Sequence, residues 1–146
     1  MVLSLAGCGG GQDKKSEKKT TKQESKIDPD DPKLNTGIGP IEKIKLDKLD
    51  PQMAAEGKEI YEKLCTSCHK LDGTLIGPSP VGILDRRSPE WIMNMILNPE
   101  EMVQKDPIAK KLLVEHNLAP MANQNLTEEQ ARKILEYFRT LKNDDK

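Results

Sequence analysis

The densest chemistry in the chain lies in five consecutive residues, Cys65-Thr66-Ser67-Cys68-His69. Two thiols stand one helical turn apart and an imidazole follows at once. Bare Cys-x-x-Cys has several uses: a redox dithiol, half of a zinc site, or an anchor for haem. A redox dithiol belongs at a helix start in a βαβ unit, whereas here helical periodicity runs into the motif from the N-terminal side. A zinc site needs two more thiol or imidazole ligands at workable spacing, and only Cys8 and His116 remain. Haem attachment uses both thiols and the imidazole, in this order. The thiols of Cys65 and Cys68 add across the two vinyl groups at one porphyrin edge, and His69 then lies under the iron as its first axial ligand. The expected cofactor is one covalent haem c.

An electron-transferring haem iron commonly pairs His with Met, which raises its potential relative to harder ligands. Six methionines are present. Met1 lies in the opening segment and Met53 precedes the motif in a helix. Met93, Met95 and Met102 fall in or beside helical stretches, where Met usually fills core gaps. Met121 sits in a connection directly after Pro120, whose ring restricts the approaching backbone. Met121 is therefore the expected second axial ligand. His116 is its rival, at the end of a charged helix where a solvent-facing His is ordinary.

The elements that must hold these groups are helical. Met53, Ala54, Gly57, Ile60, Tyr61 and Leu64 recur at helical spacing, after Asp50-Pro51, a capping residue and a Pro suited to the first turn. Gly and Pro crowd residues 70–88, which read as a loop. Ser88-Pro89, Asn98-Pro99 and Asp106-Pro107 repeat the cap-and-Pro signal, and the last of these helices runs to about Asn117. Residues 118–126 are a loop. Thr127 with Gln130 forms a capping box, and Ala131, Ile134, Leu135, Phe138 and Leu141 line one face of the final helix. No strand pattern occurs, so the fold class is all-α, with about four to five helices around the cofactor.

Composition agrees with a cofactor in the core. Only 3% of the 146 residues are aromatic, few for a small domain held by side chains alone. Formal net charge is −1, so no basic field exists to attract nucleic acid. No apolar run is long enough for a transmembrane helix. The front of the chain reads differently from the rest. Leu5-Ala6-Gly7-Cys8 looks like a bacterial lipobox, in which a peptidase cuts before the Cys and several acyl chains then hold the protein on a membrane. Seven residues precede Cys8 and none is Lys or Arg, so residues 1–8 read as the end of a truncated export signal. Residues 13–26 carry six Lys against Asp13, Glu17 and Glu24 and too little apolar surface to fold. The organisation expected is a lipoprotein signal over 1–8, a charged tether over 9–50, and a domain over 51–146. Residues 33–48, with sparse apolar positions, either drape on that domain or stay loose.

These residues together resemble class I single-haem bacterial cytochromes c over residues 52–142. In that family a Gly and an aromatic residue four later precede the motif, as Gly57 and Tyr61 do. The last helix crosses there with an apolar residue and an aromatic, matched by Ile134 and Tyr137. A Gly-Pro follows the motif, matched by Gly77-Pro78, and the resemblance implies that the Pro78 carbonyl orients His69. Ser79-Pro80-Val81 is an unusual continuation. Arg86, Arg87 and Trp91 resemble donors that meet haem propionates. The resemblance implies an electron carrier, not an enzyme, exported to the periplasmic side of a membrane. Its partners would be a quinol-oxidising complex or cytochrome as donor and a terminal reductase or oxidase as acceptor. The alternatives are a haem subunit docked on a larger reductase or oxidase, or a gas- or peroxide-reactive haem protein with a labile Met ligand.

Overall fold

The structure, a computed structural model, describes residues 31–142. The lipobox with Cys8 and most of the charged tether lie outside the described residues. Six helices occur in the order α1 (Pro51–Leu64), α2 (Ile83–Arg86), α3 (Pro89–Leu97), α4 (Pro99–Lys105), α5 (Pro107–Glu115) and α6 (Glu128–Phe138), and no strand is present among the described residues.

Local chemistry sets most of these boundaries. The Asp50 carboxylate accepts from the N–H groups of Gln52 and Met53 at 2.9 and 3.1 Å, satisfying donors that the first helical turn leaves open. Ser88 Oγ accepts from Trp91 N at 3.0 Å and Asp106 Oδ1 from Ala109 N at 2.8 Å. Thr127 and Gln130 form both halves of the capping box, at 3.2 and 3.0 Å. Asn98 departs from the expectation. Its side chain does not cap α4 but donates to the Ile38 carbonyl at 3.2 Å and to Glu101 at 2.9 Å.

Two larger features follow from tertiary contacts. The segment read as a loop contains the single turn α2. Gly82 enters it with φ 64°, a left-handed conformation that glycine takes at low cost, and its N–H donates to the Leu141 carbonyl at 2.8 Å. Of the two arrangements left open for residues 33–48, the structure has the draped one, with residues 35–47 lying across α3 and α4. Asn35 is fully buried. It donates to Asp106 at 2.7 Å, and its carbonyl accepts from Ser88 Oγ at 2.6 Å. Asn94 on α3 bonds both backbone groups of Ile41, at 3.0 and 2.9 Å. The sparse apolar positions in this arm suffice because buried asparagines satisfy its backbone, as burial demands.

The core centres on the crossing of α1 and α6. A Cβ on Gly57 would collide with the carbonyl of Lys133, so the two backbones touch there. Tyr61 continues the contact with ring centroids 5.5 Å from Tyr137 and 5.6 Å from Phe138, within the range of favourable aromatic pairs. Beside the crossing Glu136 has no exposed surface. Its carboxylate accepts from the Asp50 N–H at 2.8 Å and from Arg139 at 2.7 Å, and it pairs with Arg132. Desolvation works to raise its pKa, but these three donors outweigh it and hold the group below the ordinary 4.5.

Two outcomes are expected. Gly57→Ala should destabilise the domain by about 2–3 kcal/mol despite the better helix propensity of Ala, because backbone in contact cannot yield cheaply; the midpoint of denaturant unfolding measures it. Glu136 has a depressed folded pKa, so its contribution is complete above pH 4.5 and is lost as pH falls below it. Glu136→Gln should therefore flatten the loss of stability below pH 4.5 in acid-unfolding titrations.

Candidate haem site

The end of α1 presents the motif. Cys65 caps the helix, its N–H donating to the Tyr61 carbonyl at 2.8 Å, and the N–H of His69 turns back onto Cys65 O at 2.9 Å. The Tyr61 hydroxyl donates to the His69 carbonyl at 2.9 Å, so the aromatic cluster at the helix crossing also holds the motif. The following loop closes on Cys68, whose carbonyl accepts from Ile76 and Gly77 at 3.2 and 2.9 Å. Neither Cys65 nor Cys68 is in a disulfide, and both are half-buried. Burial, with the neighbouring Cys68 adding to it, pushes the Cys65 thiol up to about 11.

His69 Nδ1 lies 2.8 Å from the Pro78 carbonyl. A carbonyl can only accept, so Nδ1 carries the proton and Nε2 keeps its lone pair for another partner. Gly77 lies against the same ring. A Cβ there would strike the imidazole of His69, so the loop needs glycine to pass this close.

These groups face one cavity of about 250 Å³. Cys65, Cys68, His69 and Pro78 line one part of it, and Met121 reaches it from the α5–α6 connection. Ile83, Ile92, Met95, Leu112 and Leu113 make its walls predominantly apolar. Arg86 and Arg87 also line it. Arg86 donates to the carbonyls of Val81 and Ser79 at 2.9 and 3.2 Å. Arg87 lies 5.4 Å over the Trp91 ring; burial, then the adjacent Arg86, lowers its pKa, against the smaller pull of Asp106 and Glu115. Trp91 lines the cavity as well, but its indole N–H donates to Asp106 at 3.1 Å. The donor that sequence reasoning assigned to a propionate is thus engaged within the protein.

Cys65, Cys68, His69, Pro78, Arg86, Arg87, Trp91 and Met121, the site residues expected from sequence, all line this cavity. Sequence reasoning missed the wall from α5. Ala109, Leu112, Leu113 and His116 recur at helical spacing and all four line it, so His116 continues an apolar stripe and does not point only to solvent. That periodicity was the available signal. Among the described residues no cluster of three or more His, Cys, Asp or Glu could hold a metal ion, so Cys65 and Cys68 find no zinc-type partners there.

The Cytochrome c family model matches residues 54–142, more than half of the chain. The chain belongs to the cytochrome c family. Cytochromes c bind haem covalently and carry electrons, and Cys65 and Cys68 supply the Cys-x-x-Cys-His pair. A cytochrome c from Rhodothermus marinus superposes with a TM-score of 0.68 at 40% identity, covering 70% of this chain and 89% of that one. An engineered form of that cytochrome, bound to a carbene intermediate, gives 0.65 at 40% identity over the same shares. The cytochrome c domain of the pp3183 protein from Pseudomonas putida gives 0.51 at 26% identity, covering 57% of this chain and 85% of that one. No curated protein matches the chain.

The donor set fits a cytochrome c haem. Two thiols, an imidazole with a free nitrogen, a thioether and two guanidinium groups meet an apolar cavity. Gly77→Ala should displace the His69 ring and break its bond to Pro78, costing about 1–2 kcal/mol. Loss of the protected Nδ1–H resonance in NMR spectra of the haem-loaded protein would report it, and an unchanged resonance would show that the loop yields instead.

Proposed function

We propose that this cytochrome c is a single-haem electron carrier held by a lipid on Cys8 at the periplasmic side of a bacterial membrane. In this reading His69 and Met121 are the axial ligands of the iron, and Arg86 and Arg87 meet the propionates. The observation that carries it is the convergence of Cys65, Cys68, His69 and Met121 on one apolar cavity. Haem supplies the centre that takes up and releases one electron. The residues around it do the rest. Pro78 fixes the His69 tautomer and raises its basicity. The apolar walls keep water away, and a thioether ligand favours a higher potential than a harder one.

The surface near the motif suits brief apolar docking. Leu71, Leu75 and Ile76 are 42%, 44% and 49% exposed, and residues 51–146 carry 13 basic against 15 acidic side chains. Contact with a quinol-oxidising complex or a cytochrome on one side, and a terminal reductase or oxidase on the other, would then rest on shape and apolar burial more than on charge steering. The lysine-rich segment behind Cys8 would act as a tether that raises the effective concentration of such partners.

The test is mass spectrometry of the exported chain together with voltammetry. The native protein should carry the mass of one haem and show a single reversible one-electron couple. Cys65→Ala/Cys68→Ala should lose both. In the same cells Cys8→Ser should move the protein from the detergent-extracted membrane fraction to the soluble one. An exported chain without haem mass would overturn the electron-carrier reading, and a Cys8→Ser variant that stays on the membrane would overturn the anchor alone.

A further inference from the structure

His116 stands apart from the other polar residues of the cavity. It is the second of only two histidines in the chain, and it occupies the last position of the α5 stripe that lines the cavity. Its backbone is held at both ends, the N–H donating to Leu112 O at 2.9 Å and the carbonyl accepting from Ala119 N at 3.1 Å. Its imidazole, by contrast, has no hydrogen-bond or ion-pair partner among the described residues. The other imidazole of the same cavity, His69, is locked by Pro78. An imidazole with both nitrogens unengaged, half-buried on an apolar wall, is placed to serve as a ligand for iron.

Met121 lies five residues further on. Between the two, Asn117 and Leu118 both adopt left-handed φ values, 56° and 58°, a conformation that L side chains, Leu above all, adopt at a cost. The Leu118 N–H donates to Leu113 O at 2.8 Å and pins that turn to α5. The turn thus delivers Met121 to the cavity from a strained connection, while His116 is the residue that caps the end of α5.

We propose that His116 is a reserve ligand for the haem iron, taking the coordination position of Met121 when the thioether is lost. The proposal rests on the haem reading given above. It makes the cavity wall of α5 and its following turn a two-ligand device. With sulfur bound the protein sits at the higher potential. With His116 bound the iron has two imidazoles and a lower potential, and the position remains closed to small gases.

The experiment compares haem-loaded Met121→Ala with Met121→Ala/His116→Ala, by ferric optical and electron-paramagnetic spectra and by voltammetry. Met121→Ala is expected to lose the sulfur-to-iron charge-transfer absorption yet remain low-spin, with a lowered midpoint potential. The double variant is expected to be high-spin and to return to low-spin on addition of free imidazole. A high-spin Met121→Ala protein would overturn the proposal. So would a low-spin double variant, which would point to another group such as Met95, also on the cavity wall. Met121→Ser carries the same two expectations should the Ala variant load haem poorly, and circular dichroism checks that helix content is kept. Native protein lacking covalent haem removes the proposal together with the reading beneath it; native protein with haem and a high-spin Met121→Ala removes this proposal only.

Discussion

At residue 57 the main chain of one helix occupies the space that a side chain would need on the other. The Lys133 carbonyl sits where a Cβ on Gly57 would be, and the rest of the domain is arranged around that contact. It sets the separation and angle of α1 and α6 at the backbone, where tolerance is smallest. One turn further along α1, Tyr61 converts the crossing into a platform. Its ring packs on Tyr137 and Phe138, and its hydroxyl reaches the carbonyl of His69. The geometry of the motif is therefore tied to the crossing by a single rigid side chain. Burial first, then the nearby Cys65 and Tyr137, pushes that phenol up to about 12, so it stays a hydrogen-bond donor throughout the physiological range.

The second constraint is a shortage of apolar material. With four aromatic side chains the domain cannot close every face by hydrophobic burial, and it uses satisfied polar groups in their place. Asp106 is fully buried and accepts from Asn35, Trp91 and the backbone of Ala109. It thus joins the N-terminal arm, α3 and α5 through one carboxylate. Glu136 does the same for α6, the start of α1 and, through Arg139, the Asp47 carbonyl. Buried carboxylates are costly unless every lone pair is used. No buried side-chain nitrogen or oxygen lacks a partner among the described residues, which is the condition under which such a scaffold holds together.

How much of this was legible in the sequence depends on the range of the interaction. The motif, the Xaa-Pro helix starts and the Thr127–Gln130 box are local, and the structure reproduces them. The Gly57–Tyr61 spacing with Ile134 and Tyr137 was legible because the crossing leaves a periodic trace on both helices. The draped arm was not. Its anchors, Asn35 and Asn94, bond across 53 positions or more, and nothing in a stretch with scattered apolar residues signals a distant buried amide. Asp106 reads in sequence only as a helix cap, and Glu136 gives no signal at all, because a buried carboxylate looks like a surface one until its donors are placed. Trp91 was assigned a role for its indole N–H that its bond to Asp106 already fills. His116 reads in sequence only as a rival to Met121 with an ordinary solvent-facing place, because charged neighbours mask the stripe of Ala109, Leu112 and Leu113.

The two sides of the cavity are built by different means, and that difference bears on function. The side with His69 is local and rigid: a helix end, a loop closing on the Cys68 carbonyl, and Pro78 holding the imidazole. The side with Met121 comes from a connection of more than ten residues between α5 and α6, with left-handed Asn117, Leu118 and Asn125 and no regular structure. Covalent attachment through Cys65 and Cys68 ties the cofactor to the rigid side of that asymmetry, where Pro78 holds the His69 ring. With Met121 as the proposed ligand, the connection from His116 to Leu126 would be where sulfur or nitrogen ligation tunes the haem potential, while α1 and α6 make the backbone crossing on which the fold depends.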